Sequence, residues 1–263
     1  DGFTLGTEGT VNTDTRTYVA WNWKANGGTT TTNDASSTGV GSIDSVYQAN
    51  TTAGFSIVTY TGTGTAGTIA HGLGAVPKMY IVKNRDASSE WRIYNENLGN
   101  DKTVKLHLTA ASADSGNWSS TTPTSSVFNV ATGNNVNDSS EKYVAYCFAE
   151  VEGYSKINVY TGNGNADGTF VYTGFRPAFI MFKTTTIVSH WTIVDNARST
   201  YNVVDDSLYT DTSAAELTTI TDVDFLSNGF KWRGVLANET NVSEQVYIYM
   251  AFAEAPFKYA NAK

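Results

Sequence analysis

The sequence predicts an all-β chain of tandem antiparallel β-sandwich or jelly-roll-like repeats, and three observations carry that prediction. An apolar phrase recurs, first as Tyr143-Val144-Ala145-Tyr146-Cys147-Phe148-Ala149-Glu150 and again as Tyr247-Ile248-Tyr249-Met250-Ala251-Phe252-Ala253-Glu254, with a worn version at Tyr18 to Ala25. Such a run, apolar at both alternating positions, reads as a strand buried on two sides. Gly74 and Gly174, Pro77 and Pro177, Lys83 and Lys183, and Trp91 and Trp191 are each 100 residues apart, so four unlike residue types repeat in one register. Finally, no segment of about twelve residues shows the i, i+3, i+4, i+7 apolar spacing of an amphipathic helix.

Composition narrows the reading. At 263 residues the chain is long enough for one or two domains with real cores, and 40% hydrophobic residues set it apart from disordered chains. Gly 23, Tyr 15 and Phe 12 suit short strands and tight turns. A net charge of −8 with pI ≈ 4.8 argues against nucleic acid as a partner, because a phosphate backbone needs clustered Lys and Arg. No run of about eighteen apolar residues is present, so no membrane insertion is expected. Cys147 is the one cysteine, which rules out an internal disulfide; inside an apolar strand it reads as a small buried hydrophobe.

In chain order, residues 1–25 read as two strands, Gly2-Phe3-Thr4-Leu5 and Tyr18 to Trp23. The same pair returns as Ser126 to Val130 and Tyr143 to Phe148, displaced by 125 (128 − 3 and 143 − 18). The opening segment is therefore expected to be the closing hairpin of a truncated upstream repeat, and the chain the C-terminal part of something longer. Residues 26–53, rich in Gly, Thr, Ser and Asn, read as a linker in which Ile43, Val46 and Tyr47 pin one short strand. Two full units follow, 54–153 and 154–263. Each opens with a strand closed by Tyr-Thr-Gly-x-Gly (60–64 and 160–164), a turn that needs positive φ. In each, a proline enters the next apolar strand at its first residues, where a missing N–H is tolerated. Trp91 and Trp191 then head short alternating strands. About six to eight strands per unit fit a sandwich of roughly 100 residues.

The phrases at 52–62, 71–74, 143–156, 167–179, 224–231 and 251–263 resemble large virion proteins of marine tailed phages, of the kind carried by phages of cyanobacteria and other ocean bacteria and labelled tail-fibre-like or structural. The resemblance covers nearly the whole chain. It implies a bacteriophage virion structural protein, fibre- or appendage-like, located in the extracellular particle after synthesis in the host cytoplasm. Its partners would be other virion proteins, further copies of itself (a homo-oligomer, a trimer among the options) and bacterial surface polysaccharide. It brings no catalytic residues.

No motif in the chain asks for a cofactor, a metal or a catalytic group. His71, His107 and His190 lack ligand spacing, and Tyr-Thr-Gly-Thr-Gly-Thr (60–65) lacks the Lys-Ser/Thr ending of a phosphate loop. The weak binding candidates are tryptophans. Trp21 and Trp23 lie two apart and share a strand face, which suits either a sugar-stacking platform or contact with the core or a neighbouring unit. Trp118 and Trp232 sit near polar loops and are expected to offer more exposed contact. The acidic pairs Glu150/Glu152, Asp205/Asp206 and Asp222/Asp224 supply the minimum for glycosidic hydrolysis, and strand ends and turns also account for them. The expectation is multivalent surface contact without enzymatic activity; a phage polysaccharide depolymerase or a secreted bacterial lectin or filament component are the alternatives.

Overall fold

Period-two alternation sorts the side chains of each recurring strand between two cores. In the computed structural model, which describes residues 2–218, 222–235 and 239–256, Tyr143, Ala145 and Cys147 enter one hydrophobic cluster, and Tyr146 and Phe148 enter a second on the opposite face. In the later copy Tyr247, Tyr249 and Ala251 enter a third cluster, while Ile248, Met250 and Phe252 join that same second one. Both phrases are thus buried on two sides, and the chain is an all-β sandwich protein.

The strands follow one another as β1 (Thr31–Asn33), β2 (Ser45–Asn50), β3 (Phe55–Thr61), β4 (Gly67–Ala70), β5 (Met79–Asn84), β6 (Arg92–Asn95), β7 (Lys102–Lys105), β8 (Ala113–Asp114), β9 (Val127–Val130) and β10 (Lys142–Phe148). The later half gives β11 (Ser155–Thr161), β12 (Phe170–Tyr172), β13 (Pro177–Thr184), β14 (Thr192–Asp195), β15 (Ser207–Tyr209), β16 (Val223–Leu226), β17 (Gly229–Trp232) and β18 (Val246–Ala253). In the first half an eight-stranded sheet, β1-β2-β3-β10-β5-β6-β7-β8, faces the pair β4-β9. In the second a five-stranded sheet, β11-β18-β13-β14-β15, faces β12-β17-β16.

The two modules do not hang as separate beads. Their large sheets face each other across the shared cluster, to which β3, β5, β6 and β10 give Phe55, Met79, Ile81, Ile93 and Phe148, and β11, β13 and β14 give Ile157, Phe179, Met181 and Ile193. The result is four sheet layers with three apolar fillings. Side chains of this size stabilise by about 1.5–3 kcal/mol each when fully buried. The segment after β7 also reaches across: the Trp191 indole N–H donates to the Lys105 carbonyl (2.9 Å), the Thr210 hydroxyl to Leu106 O (2.7 Å) and the Lys183 ammonium to Thr109 O (2.9 Å).

Two expectations need correction. Residues 2–25 contain no strand and make no hairpin; they hold a single helical turn, Gly9–Asn12, and otherwise run as irregular backbone. The β-rich phrase Tyr18 to Ala25 finds no sheet edge, and Trp21 and Trp23 dock on the central cluster instead. Residues 26–53 are not a linker. Their β1, the capped turn Ala35–Thr38 and β2 complete the first module, with β2 paired along β3 from Ser45↔Tyr60 to Asn50↔Phe55. Low hydrophobicity concealed this, because an edge strand needs backbone partners more than apolar side chains. Residues 257–263 of the second expected unit lie outside the described residues.

Candidate functional site

The N-terminal segment crosses the seam between the modules and is pinned there by two tryptophans. Trp23 meets Phe148 of the first module at 6.2 Å and Phe179 and Phe252 of the second at 5.5 and 5.4 Å, all edge-on. These are favourable geometries for the ring quadrupole. Trp21 packs edge-on to Phe179 at 5.9 Å, donates its indole N–H to Asp195 Oδ2 (3.2 Å), and lies under the Arg198 guanidinium at 5.7 Å. Of the two roles open to this pair, Trp23 takes the packing one.

Trp21 also lines a cleft of about 820 Å³ between this segment and the second module. Tyr18, Arg16, Arg198, Asp206 and Glu216 contribute to its walls. Asp195 organises one side: its Oδ1 accepts the Ala197 and Arg198 amides (3.1 and 3.0 Å), and its Oδ2 accepts Arg198 Nε (2.8 Å). Arg198 extends to Glu216 Oε2 (2.8 Å) and the Ile193 carbonyl (3.2 Å), so its guanidinium is fixed by three acceptors and by the Trp21 ring beneath it. Ser199 Oγ holds Asp206 Oδ2 at 3.0 Å. Tyr18 remains 48% exposed, with its hydroxyl accepting the Thr13 amide (2.9 Å) and donating to Gly9 O (3.1 Å). The cleft therefore offers aromatic surface beside oriented donors and acceptors of both charges.

Trp118 and Trp232 are elsewhere and cannot serve as surface contacts. Both are fully buried: Trp118 donates to Lys102 O (3.0 Å) and packs on Tyr80 and Tyr94, and Trp232 packs on Phe182 and Phe230. Their neighbouring loops are polar, yet a large indole gains more from the core than from solvent.

Several titratable groups that stand out in the sequence have structural partners. His71 is buried; its Nδ1 accepts the Leu73 amide and its Nε2 faces Thr124 O, both at 3.1 Å, and burial lowers its pKa. His190 pairs with the buried Asp211 at 2.7 Å and stacks on Tyr209. Glu150 pairs with Lys156 (3.1 Å) and Glu254 with Arg176 (3.0 Å), the strand-end role their shared repeat position suggests. Asp224 pairs with Arg233. Burial pushes the Cys147 thiol far above its usual range. Among the described residues no three His, Cys, Asp or Glu side chains converge as a metal site would need, and no helix is long and apolar enough to cross a membrane.

Arg198, Glu216 and Tyr18 went unrecognised in the sequence. Nothing local marks Arg198; only the fold brings it to Trp21, 177 positions away (198 − 21). No curated protein and no solved structure matches this chain. A family model described as a domain of unknown function, DUF7483, matches residues 1–256, spanning the N-terminal segment and both modules alike, and the chain belongs to that family.

Proposed function

We propose that this chain is a structural protein of a bacteriophage particle, fibre- or appendage-like, which works by surface contact with other virion proteins and with bacterial surface glycan. The cleft beside Trp21 carries the glycan part of this reading, because it sets an aromatic face against a fixed guanidinium and carboxylates. The resemblance of the repeat phrases to marine tailed-phage virion proteins supports the particle part. Repetition along a particle would raise avidity without a tight single site.

The test has two arms. Quantitative mass spectrometry and cryo-microscopy of an intact particle would give the chain's copy number and place. A glycan array, repeated with Tyr18→Ala and Arg198→Ala, would show binding that both substitutions weaken at least tenfold. Absence from every particle, or binding indifferent to both changes, sinks the reading.

One observation favours a depolymerase as the second reading: Asp206 and Glu216 both line the cleft. Two carboxylates can divide acid and base roles in glycoside cleavage. Against that use, Glu216 is ion-paired with Arg198 and Asp206 is held by Ser199. Release of reducing ends from host polysaccharide, lost in Asp206→Asn, would replace the binding role with an enzymatic one.

A further inference from the structure

The chain carries three Asn-Gly pairs, Asn26-Gly27, Asn163-Gly164 and Asn228-Gly229. As covalent chemistry the three are alike. In each, the glycine amide nitrogen can attack Cγ of the asparagine before it, because the glycine has no Cβ to stand in the way. A new N–C bond closes a five-membered imide, and the side-chain nitrogen leaves as ammonia, taking the amide proton with it. Water then opens the ring at either carbonyl and leaves aspartate or isoaspartate. The fold decides which pair is free to react.

Two pairs are locked. Gly164 donates its amide to Asn241 O (2.8 Å), so the attacking nitrogen is engaged. The Asn163 side chain is held at both ends: Oδ1 accepts the Asn165 amide (3.0 Å) and Asn241 Nδ2 (2.9 Å), and Nδ2 donates to Asp167 O (3.0 Å). Gly229 is buried in β17, paired with Tyr172 on one side and Leu226 on the other. The Asn228 carbonyl, in the same peptide unit as the Gly229 nitrogen, accepts the Thr173 and Gly174 amides (3.1 and 3.2 Å). Turning that unit toward the side chain would break both bonds.

The first pair is open. Asn26 and Gly27 are both exposed, and a Cβ built on Gly27 would meet nothing within 4 Å. They begin a turn in which the Thr29 amide donates to Asn26 O (3.2 Å), with Gly27 and Gly28 at φ of 60° and 97°. Among the described residues the Gly27 amide has no acceptor, and the Asn26 side chain makes one long contact, Nδ2 to Thr29 O at 3.5 Å. This turn is the neck between the N-terminal segment and the first module. On its two sides Lys24 O accepts Asn50 Nδ2 (3.0 Å) and the Gly28 amide donates to Gln48 Oε1 (3.3 Å).

We infer that Asn26 is a self-modifying site, converted in the folded protein to aspartate and isoaspartate by Gly27 and water, while Asn163 and Asn228 are spared. The product places a carboxylate at the neck. Its iso form also adds one main-chain carbon between the Trp23 anchor and β1. The inference rests on these three pairs and does not depend on the proposed function.

Peptide mapping by mass spectrometry, with fragmentation that separates Asn26 from Asn33 and Asn50, tests it on the whole chain held in mildly alkaline buffer. Asn26 should convert at least about tenfold faster than Asn163 or Asn228, because each hydrogen bond that must open first slows the attack. Both aspartate and isoaspartate should appear at position 26. In guanidinium chloride the three pairs should react at comparable rates, since unfolding gives them one environment. Equal rates at the three sites of the folded chain, or a spread that persists after unfolding, would overturn the inference. So would an Asn26 that stays intact until the chain is unfolded, or aspartate without isoaspartate, which would mean direct hydrolysis with no part for Gly27.

Discussion

Asn137 and Asn241 hold the same post in the two modules. Each is fully buried, and each ties down the glycine turn that follows β3 or its counterpart β11. Asn137 Oδ1 accepts the Thr63 amide (2.8 Å) and its Nδ2 donates to Thr65 O and Ala131 O (2.7 and 2.9 Å). Asn241 Oδ1 accepts the Asn163 amide (3.0 Å) and its Nδ2 donates to Asn163 Oδ1 and Asn165 O (2.9 and 2.8 Å). The turns they anchor leave no space for a side chain: a Cβ on Gly62 or Gly162 would lie 2.1 or 2.2 Å from the carbonyl oxygen of Asp138 or Val242.

Replacing either asparagine strands several buried donors and acceptors, each of which costs about 1–3 kcal/mol when unmet. Asn137→Ala and Asn241→Ala should each lower the urea midpoint clearly. Their near-equal cost is the check on equivalence, and a harmless change at either site would refute it.

Trp23 touches both modules and so reports on the seam. Being half-buried, its removal should cost about 2–3 kcal/mol, less than the ~3–5 of a fully enclosed ring. Hydrogen exchange in Trp23→Ala should quicken in β10 and β18 more than in β4 or β17, which face away from the seam. Uniform quickening would count against this account.

His71 gives the stability curve an acid limb. Burial holds its folded pKa below the 6.5 of the free side chain, so between the two values the unfolded chain binds the extra proton. That contribution is whole above about pH 6.5 and drains away as pH falls through the folded value. Urea midpoints measured from about pH 5 to pH 7.5 should decline toward acid in the wild type. In His71→Gln they should lie lower but vary less.

Lys183 bends the curve at the other end. Burial lowers its ammonium pKa to about 8, against some help from Asp211. Between that value and the unfolded 10.5 the unfolded chain again holds more protons, so stability should rise with pH across the interval. Lys183→Met, which keeps the stem and removes the charge, should abolish that rise. A variant with an unchanged slope would place the titration elsewhere.

How far the sequence could be read depended on whether a feature was repeated. Pro77 and Pro177 both lead into the apolar strand that pairs with the recurring phrase, so a fixed spacing was enough to find them. The asparagines obey a spacing too, six residues ahead of Tyr143 and Tyr247 (143 − 137 and 247 − 241), but their surroundings differ so much that the match hides among common turn residues. The tyrosines themselves accept the Asp138 and Val242 amides through their hydroxyls (2.7 and 3.1 Å), a second echo visible only in three dimensions. Trp118 and Trp232 misled because adjacent polarity describes the backbone's neighbourhood, not where an indole points. The cleft was illegible for a simpler reason: Trp21 and Arg198 lie 177 positions apart (198 − 21) and meet only in the folded chain.

The shared middle filling has a practical corollary for anyone dividing this protein. A cut between residues 153 and 154 would bare a broad oily face on each half and orphan the carbonyls of Lys105, Leu106 and Thr109. Neither half is therefore a transferable cassette, despite the internal doubling. Whatever gene rearrangement once copied the unit, later exchange would have to carry both copies as a single indivisible piece.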